Sequence, residues 1–408
     1  MSATPPKIRS LLFSTLYPSS NRPGHGIFVE TRLRHLLASG QVDARVVAPV
    51  PWFPSTNPRF GAWSKLASTP ARETHNGIEV RHPRYALPPK VGMNIAPLML
   101  ALGARSTLRS LQREGFDFDV IDAHYYYPDG VAAALLARWF KKPLFITARG
   151  TDLNLISNFA IPRRWIQWAA SVASGSIGVS QSLVDKLISL GGDPSRTHVL
   201  RNGVDLERFH PVDQAKARND LGLPMDRRIL LSVGHLVSIK GHDIAIQALA
   251  DMPEAYLAIV GEGPERSSLQ ELAHSMGVTN RIRFAGARPQ TELPLWYSAA
   301  DALVLCSSRE GWPNVLLECM ACGTPVVATD VGGTAEVLCA PEAGVLIKER
   351  NPVALVHGLK TLFPQAPGRD VVRRFAESFD WKPTTYGQVS LFRSALQGNS
   401  KPNHPVLQ

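Results

Sequence analysis

The sequence predicts an α/β protein made of two successive domains, each a parallel sheet covered by helices. Three observations carry this prediction. Short β-branched and apolar runs alternate with helix-like segments, and this rhythm is interrupted once near the middle of the chain. The length of 408 residues is enough for two or three domains. The composition, with 44% hydrophobic and 19% charged residues, is typical of a folded globular protein and excludes a disordered or fibrous one.

Two sets of candidate strands follow one another, and helix-like segments separate the strands within each set, so neighbouring strands should run parallel. The interruption falls at residues 203–227, which places an N-terminal domain at 1–203, a C-terminal domain at 204–375 and a tail at 376–408. We expect the tail to pack back on the N-terminal domain and then to fray, because its last ten residues are polar. The candidate strands are IRSLLFS, ARVVAPV, DVIDAHY, PLFITAR and SIGVS, then RILLSVG, AYLAIVG, IRFAG, DALVLCS and TPVVATD.

The charge is distributed unevenly along the chain. Residues 1–202 hold 24 Lys and Arg against 12 Asp and Glu, whereas residues 203–408 hold 20 against 22. A basic half joined to a near-neutral half indicates an anionic partner for the first half, such as lipid, a phosphorylated acceptor or nucleic acid. A surface that only keeps the protein soluble is the alternative.

No segment is predicted to enter or cross a membrane. The apolar run from Leu11 to Phe13 is too short for a signal-peptide core, and the stretch from Ile95 to Ala104 has about half the roughly 20 residues that a spanning helix needs. All four cysteines fall in the last third of the chain. Cys319 and Cys322 have the spacing of half a zinc site, but they lie in an apolar run without a second pair, so we expect buried core thiols.

The segment after the strand DALVLCS is rich in candidate binding groups. Glu310 and Glu318 lie eight positions apart, and Pro313 between them suits the first turn of a helix. A helix that begins there would bind a phosphate at its N-terminus, with the two carboxylates placed to accept hydrogen bonds from hydroxyls on either side. A nucleotide sugar carries hydroxyls on both sides of its diphosphate. The amides free to hold the phosphate would be those of Trp312, Asn314 and Val315.

This string, EGWPNVLLE followed by CGTPVVA and a Gly-Gly pair, closely resembles the E-x7-E signature of retaining glycosyltransferases of family 4, and the resemblance covers most of the chain. It implies a GT-B architecture, in which two Rossmann-like domains face an interdomain cleft. It also implies that Glu310 binds the donor sugar and that Glu318 binds the ribose of the nucleotide. The amides of Asn314 and Val315 would hold the distal phosphate, with Trp312 beside them.

The segment SVGHLVSIKGHD, after the strand RILLSV, resembles the V-G-R-L-x3-K-G segment of the same family, whose Arg and Lys hold the leaving diphosphate. The resemblance gives this role to Lys240. His235 stands where the family has Arg, so either it donates one hydrogen bond in place of the arginine fork, or Lys240 carries the clamp with other residues. A cation stabilises the charge that develops on the diphosphate, so neither a metal nor another cofactor is expected to be required.

Three further loops resemble donor-site loops of the family. Gly24 and Gly26 lie in the PGHGIF loop before a helix that begins near Ile27, where small residues let the backbone approach a phosphate or sugar. Gly263 follows the strand AYLAIV and would line the donor site. Arg288 follows the strand IRF and would lie beside the nucleotide base. A plain turn is the alternative at each position.

The strand DVIDAH ends on His124, which would point into the cleft, and family members place a His there against the donor sugar. The loop TARGTD resembles the family's T-x-H-G-x-D loop near the acceptor, with Arg149 in place of His and with Asp152 retained. An arginine there favours an anionic acceptor such as a lipid-linked phosphate.

Two segments could contact a membrane surface, although core helices with a charged edge are the commoner explanation. We expect a cytoplasmic protein with peripheral contact to an anionic membrane. Nucleic acid is not an expected partner, because the Tyr125–Tyr127 run, a possible stacking platform, lacks further interleaved aromatic and basic residues. The two segments are residues 95–113, with Leu98, Leu102, Arg105, Leu108 and Arg109 near helical spacing, and residues 161–168, with Arg163, Arg164, Trp165 and Trp168.

The sequence therefore predicts a retaining enzyme that moves a sugar from a nucleotide diphosphate sugar to a lipid-linked or glycan acceptor, in bacterial envelope or exopolysaccharide synthesis. A nucleotide-sugar epimerase or a sugar phosphorylase is an alternative on the same fold. A nucleotide-sugar-binding scaffold without catalysis is a second alternative. The sugar, the base, the acceptor and the linkage do not follow from the sequence.

Overall fold

The computed structural model describes residues 6–88 and 92–398 and confirms an α/β protein with two parallel-sheet domains. The chain divides into unit 1, which is Met1–Arg201 with Lys382–Gln408, and unit 2, which is Asn202–Trp381. These divisions lie two residues before the first predicted boundary and six residues after the second. The chain thus leaves unit 1 and returns to it. The ten residues that we expected to fray lie outside the described residues.

Unit 1 contains an eight-stranded sheet and a separate parallel pair of two-residue strands. Its strands are β1 (Ile8–Phe13), β2 (Val42–Val47), β3 (Val50–Pro51), β4 (Arg72–His75), β5 (Ile78–Arg81), β6 (Arg84–Tyr85), β7 (Val120–His124), β8 (Leu144–Ala148), β9 (Gly175–Gly178) and β10 (Thr197–Val199). The sheet order is β10-β9-β8-β7-β1-β2-β5-β4, and only β4 is antiparallel to its neighbour. β1 therefore has β2 on one side and β7 on the other, so the loops after β1 and β7 meet at one edge.

Helices cover both faces of this sheet, as parallel β-α-β connections require. One face carries α1 and α16, whose Val29, Leu33, Val389 and Phe392 are buried in one core with strand residues. The Phe392 ring lies 4.9 Å from that of Phe145 on β8. The helices of unit 1 are α1 (Ile27–Ala38), α2 (Ala62–Ala67), α3 (Gly92–Arg113), α4 (Val131–Phe140), α5 (Thr151–Asn154), α6 (Ala160–Val172), α7 (Gln181–Ser189) and α16 (Lys382–Gly398).

Unit 2 is a six-stranded parallel sheet with helices between successive strands. Its strands are β11 (Arg228–Val233), β12 (Ala255–Val260), β13 (Ile282–Gly286), β14 (Ala302–Leu305), β15 (Val326–Thr329) and β16 (Gly344–Ile347). The order β13-β12-β11-β14-β15-β16 is that of a Rossmann sheet and reverses between β11 and β14, where ligands bind in such folds. Its helices are α8 (Gln214–Leu221), α9 (His242–Ala250), α10 (Arg266–Ser275), α11 (Leu293–Ala299), α12 (Asn314–Ala321), α13 (Thr334–Val337), α14 (Pro352–Leu362) and α15 (Arg369–Glu377).

All ten predicted strands are present. Six of the described strands were not predicted. β3 and β6 have two residues each and β10 has three, whereas β5 and β16 have four. β4 reads Arg-Glu-Thr-His and is exposed at alternate positions. Cys319 and Cys322 are buried, as predicted, and burial raises the pKa of both thiols. Within the described residues, no helix is long and apolar enough to span a bilayer.

Candidate functional site

The reversal point of the unit 2 sheet brings a lysine and a glutamate together. Lys240 ends a short 3-10 turn after β11, and Glu310 lies in the loop after β14. The Lys240 Nζ is 2.6 Å from Glu310 Oε1, and the Ser307 hydroxyl donates to the same oxygen at 2.7 Å. The side chains of Glu310 and Lys240 are 10% and 27% exposed. This is a partly solvent-accessible ion pair at the edge where the fold class places its ligands.

A glycine allows the two loops to meet. Gly241 has φ +70°, and a Cβ at this position would lie 2.1 Å from the carbonyl oxygen of Cys306. No other residue type fits there, because the backbone of the β11 loop lies against that of the β14 loop. Gly263 after β12 is similar, since its Cβ would lie 2.4 Å from the carbonyl oxygen of Leu236. The predicted residues Lys240, Gly263 and Glu310 therefore all lie in strand-end loops at one edge of the sheet.

Glu318 lies on the second turn of α12, as predicted, and its Oε2 accepts a hydrogen bond of 2.8 Å from the Tyr297 hydroxyl. Burial raises the pKa of Glu318 to about 7, and the hydrogen bond from Tyr297 and the charge of Arg208 offset part of this effect. The carboxyl group therefore changes charge near neutral pH. The sequence did not single out Tyr297, since a tyrosine on an apolar helix is a core residue by default.

The N-terminus of α12 differs in part from the prediction. Pro313 caps the helix, but the amide of Asn314 donates to the carbonyl of Trp312 at 3.0 Å, so it is not free to bind an anion in this structure. The Trp312 side chain is 6% exposed and packs against Phe379. The amide of Val315 lies in the first turn, where the helix offers no acceptor to a backbone N–H. Asn314 instead accepts a side-chain hydrogen bond from Asn202 at 3.2 Å.

His235 and Arg288 are not brought into this ion pair. His235 is exposed, and its carbonyl accepts from the amide of Val237 at 2.9 Å and lies 3.3 Å from His242 Nε2. The Arg288 guanidinium donates to the carbonyl of Ala285 and lies 3.5 Å from Glu292. Within the described residues of unit 2, Lys240 is thus the one predicted cation that contacts a predicted carboxylate.

His124 ends β7 in unit 1 and is enclosed rather than open, because its side chain is 1% exposed. Its position in an interdomain cleft stays a prediction. Arg149 Nη2 lies 2.6 Å from His124 Nδ1, and His124 Nε2 lies 3.4 Å from Asp122 Oδ2. A guanidinium can only donate, so Nδ1 accepts and the ring proton is on Nε2, towards Asp122. Burial lowers the pKa of His124 to about 4, which keeps the ring neutral at physiological pH.

Arg149 and Asp152, which are predicted to lie on the acceptor side, follow β8 in unit 1. Asp152 is fully buried, and its carboxylate accepts hydrogen bonds from the amides of Tyr126, Arg149 and Gly150. It therefore holds the loop after β8 against the loop after β7. Arg149 is half-buried, and burial of its guanidinium lowers its pKa to about 9. Tyr126 and Tyr127 are buried, so the tyrosine run is not a stacking platform.

The loop after β1 is held by a carboxyl group that the sequence did not single out. Asp129 is fully buried and accepts hydrogen bonds from the amide of Thr15 at 2.7 Å and from the hydroxyl of Ser14 at 3.2 Å. Burial raises the pKa of Asp129 to about 7. Gly26 caps α1, which begins at Ile27 as predicted, and Gly24 precedes it with open space around its Cα.

Comparisons with known proteins cover both units. Residues 22–208 match the family described as Glycosyltransferase Family 4, and residues 213–378 match the family described as Glycosyl transferases group 1. TuaC of Bacillus subtilis, a glycosyltransferase that its name assigns provisionally to teichuronic acid biosynthesis, is 32% identical over 92% of this chain and 91% of its own. D-inositol 3-phosphate glycosyltransferase 1 of Catenulispora acidiphila is 31% identical over 88% of this chain and 92% of its own.

Solved structures support the same fold. Sucrose-phosphate synthase from Thermosynechococcus elongatus superposes with a TM-score of 0.79 at 21% identity, over 96% of this chain and all of that one. Anabaena HepE, solved in complex with UDP and glucose, superposes with a TM-score of 0.72 at 22% identity, over 95% of this chain and all of that one. The predicted GT-B fold class is thereby confirmed.

Proposed function

This chain belongs to the glycosyltransferases of family 4, and from that premise we propose that it transfers a sugar from a nucleoside diphosphate to an acceptor hydroxyl with retention of anomeric configuration. The Lys240–Glu310 pair at the reversal point of the unit 2 sheet is the observation that carries this proposal. It sets a cation and a hydroxyl-binding carboxylate side by side, as the diphosphate and the hexose of a nucleotide sugar require. The two groups neutralise each other until the donor arrives.

In the proposed reaction, the bond between the anomeric carbon and the diphosphate oxygen breaks, and the acceptor oxygen bonds to the same carbon on the same face. The acceptor proton passes to the leaving diphosphate, so no protein nucleophile is needed. Lys240 stabilises the charge on the diphosphate, together with the amide of Val315 at the start of α12. We expect this charge compensation to suffice without a metal ion.

Glu310 would orient the hexose through its carboxylate, and Glu318 would accept a hydrogen bond from the ribose. Glu318 lies about one turn into the same helix that begins beside Glu310, so one rigid element spaces the two carboxylates. Because the pKa of Glu318 lies near 7, its ability to accept two ribose hydrogen bonds depends on pH.

We propose a lipid-linked or glycan acceptor in bacterial envelope or exopolysaccharide synthesis, with peripheral binding to an anionic membrane. The basic charge of residues 1–202 and the exposed face of α3 support this proposal. Leu98 and Leu102 are 41% and 49% exposed on α3, and Arg109 and Arg113 follow on the same face. Leu108, which is predicted to lie with them, is fully buried, because it lies about 100° around the helix from this face.

Release of nucleoside diphosphate from UDP-, GDP- and ADP-sugars, with and without a bacterial lipid extract, tests this function. We expect release from one donor that rises with lipid and is lost in Glu310→Gln. The anomeric configuration of the product, read by NMR, tests retention.

Three other results would contradict the proposed transfer. Conversion of the sugar without an acceptor would indicate an epimerase. A requirement for inorganic phosphate would indicate a phosphorylase. Nucleotide binding without turnover on the whole panel would indicate a scaffold.

A further inference from the structure

The helix α16 places a glutamine in the polar network beneath His124. Gln388 is 1% exposed, and its side-chain amide makes two hydrogen bonds within unit 1. Its Nε2 donates to Asp122 Oδ2 at 2.7 Å, and its Oε1 accepts from Arg32 Nε at 2.8 Å. Asp122 Oδ2 is also the atom that lies 3.4 Å from His124 Nε2. A single carboxylate oxygen therefore joins α16 to the residue at the end of β7.

The backbone explains why these side chains meet. Asp122 and His124 are two positions apart on β7, so they point to the same face of the sheet. That face is covered by α1, which carries Arg32, and by α16, which carries Gln388. Val389 and Phe392 seat α16 in the apolar core of this face and thereby fix the height of Gln388 above β7.

The two contacts of Gln388 also determine which way its amide points. The carboxylate of Asp122 accepts and the guanidinium of Arg32 donates, so only one orientation of the amide satisfies both groups. A carboxylate in place of the amide would repel Asp122, and a thioether would satisfy neither partner. Asp122 Oδ1 and Arg32 Nη2 are buried and have no hydrogen-bond partner in the described residues. Gln388 therefore supplies one of the few hydrogen bonds that the buried Asp122 carboxylate accepts and one of the few that the buried Arg32 guanidinium donates.

We propose that Gln388 is a positioning residue for His124 that acts by fixing the carboxylate of Asp122. The inference rests on the proposed function only in that His124 serves the transfer reaction. Arg149 places the ring proton on Nε2, and Asp122, held by Gln388, faces that proton and keeps the ring in one orientation. The charged groups that face His124 are Asp122 on its own strand, Arg149 after β8 and Arg32 on α1, while α16 presents the neutral Gln388.

The test compares Gln388→Met and Gln388→Glu with Val389→Ala. Val389 is the next residue of α16, is 3% exposed and belongs to the same core, but lies outside the polar network. Val389→Ala loosens the helix without changing hydrogen bonds, so it reports what a purely structural loss does. We expect Gln388→Met to lower kcat by about tenfold to a hundredfold at saturating donor, since small misplacements of an active-site group have effects of this size. Val389→Ala should keep kcat within about twofold of the wild type, even where its thermal midpoint falls as far as that of Gln388→Met.

Gln388→Glu adds a direct electrostatic readout. A second carboxylate near Asp122 favours the charged form of His124 and so raises the pKa of that ring by about one unit or more. The acid limb of the pH profile of kcat/KM should move to higher pH by the same amount. It should stay in place in Val389→Ala.

The state of the ring can be measured without turnover. Nitrogen chemical shifts of 15N-histidine-labelled protein report the tautomer and the pKa of His124, whose signals are assigned by their loss in His124→Asn. We expect the Nε2–H form in the wild type and in the variants, because Arg149 still donates to Nδ1. The Nε2 signal should be displaced in Gln388→Met, where Asp122 is no longer held, and the pKa should be raised in Gln388→Glu. If the His124 signals titrate identically in all variants, the inference is wrong even where transfer activity is normal. If the signals change as expected but no donor is turned over, the positioning role stands and the proposed function fails.

Discussion

Lys240 and Glu310 belong to loops 70 residues apart in the chain, yet their charged atoms lie 2.6 Å apart at the reversal point of the unit 2 sheet. The pair is held by backbone contact, because Gly241 lies directly against the carbonyl of Cys306. Under the proposed function, this pair would serve two purposes. It would prevent Glu310 from repelling an incoming diphosphate, and it would keep Lys240 close to where that diphosphate binds.

Replacement of Lys240 by methionine should remove this charge compensation. We expect Lys240→Met to lower kcat/KM for the nucleotide sugar by at least about a hundredfold, which is typical of losing one group that stabilises developing charge. Steady-state kinetics with the preferred donor measures the effect. Arg374→Met is the control, since Arg374 forms an exposed ion pair with Asp370 and should leave kcat/KM within about twofold. A Lys240→Met variant with more than half of the wild-type value would contradict the role of Lys240.

Nucleotide binding should depend on pH through Glu318. Its pKa in the folded protein, about 7, is above the ordinary value of 4.5, so the folded state favours the protonated form. The stability that Glu318 contributes is therefore complete below pH 4.5 and is lost as pH rises through about 7. A ribose hydroxyl that donates to the carboxylate favours the opposite, deprotonated form.

Two measurements test these opposite effects of pH on folding stability and on nucleotide binding. Affinity for the nucleoside diphosphate, measured by calorimetry, should rise between about pH 6 and about pH 8 in the wild type and stay flat in Glu318→Gln. In the absence of nucleotide, Glu318→Gln should raise the thermal midpoint more at about pH 8 than at about pH 6, because it removes a buried charge. Parallel affinity curves for the two proteins would show that Glu318 does not contact the ribose.

The importance of the backbone contact at Gly241 can be tested by comparing Gly241→Ala with the same substitution at Gly277, a glycine of similar conformation. Gly241→Ala introduces both a left-handed alanine and a clash with the β14 loop, whereas Gly277→Ala, at φ +66°, introduces the conformational strain alone, because no atom lies within 4 Å of its Cβ. Each should lose about 1–2 kcal/mol from the strain. Urea unfolding should show a clearly larger loss for Gly241→Ala, with donor turnover reduced only in that variant. Equal losses of unfolding free energy and equal turnover in the two variants would mean that neither stability nor activity needs the contact between the β11 and β14 loops.

The exposed face of α3 should bind anionic lipid. The double variant Arg109→Ala and Arg113→Ala should weaken binding to phosphatidylglycerol vesicles by roughly fivefold per arginine, since one basic residue near such a surface contributes about 1 kcal/mol. Sedimentation with vesicles measures this, and the wild-type binding should fall as salt rises. Arg374→Ala in unit 2 controls for net charge. Equal binding of the wild type to phosphatidylcholine vesicles would show that charge on α3 does not direct it.

Much of the fold could be predicted from the sequence because parallel sheets buried on both faces leave a strong signal. Runs such as LLF in β1 or AIV in β12 are almost fully buried, and their short length and continuous apolar content identify them. β4 leaves no such signal, since it lies at a sheet edge with alternate residues exposed. The boundaries were harder to place, because α16 resembles any amphipathic helix and only its tertiary contacts assign it to unit 1.

The candidate site, like the fold, contains residues that a local sequence pattern reveals and residues that it does not. Glu310 and Glu318 were predicted because one continuous string carries them, and Lys240 because a second string, SVGHLVSIKGHD, carries it. Asp129 and Gln388 were missed because their roles come from buried partners 114 and 266 residues away in sequence, which no local pattern reports. His124 was located correctly at a strand end, but its enclosure follows from Arg149 and the helices that cover it.

The return of the chain to unit 1 has a consequence for how the protein is made. Arg32 and Asp122 are synthesised early, but Gln388, which joins them, follows the whole of unit 2. At about 5–20 residues per second, the ribosome needs roughly ten to forty seconds to pass from the end of the first segment of unit 1 to the start of α16. During that interval two buried charges in a nascent domain lack the group that bridges them. Unit 1 therefore completes its folding only after unit 2 has emerged, and translation order couples the maturation of the two.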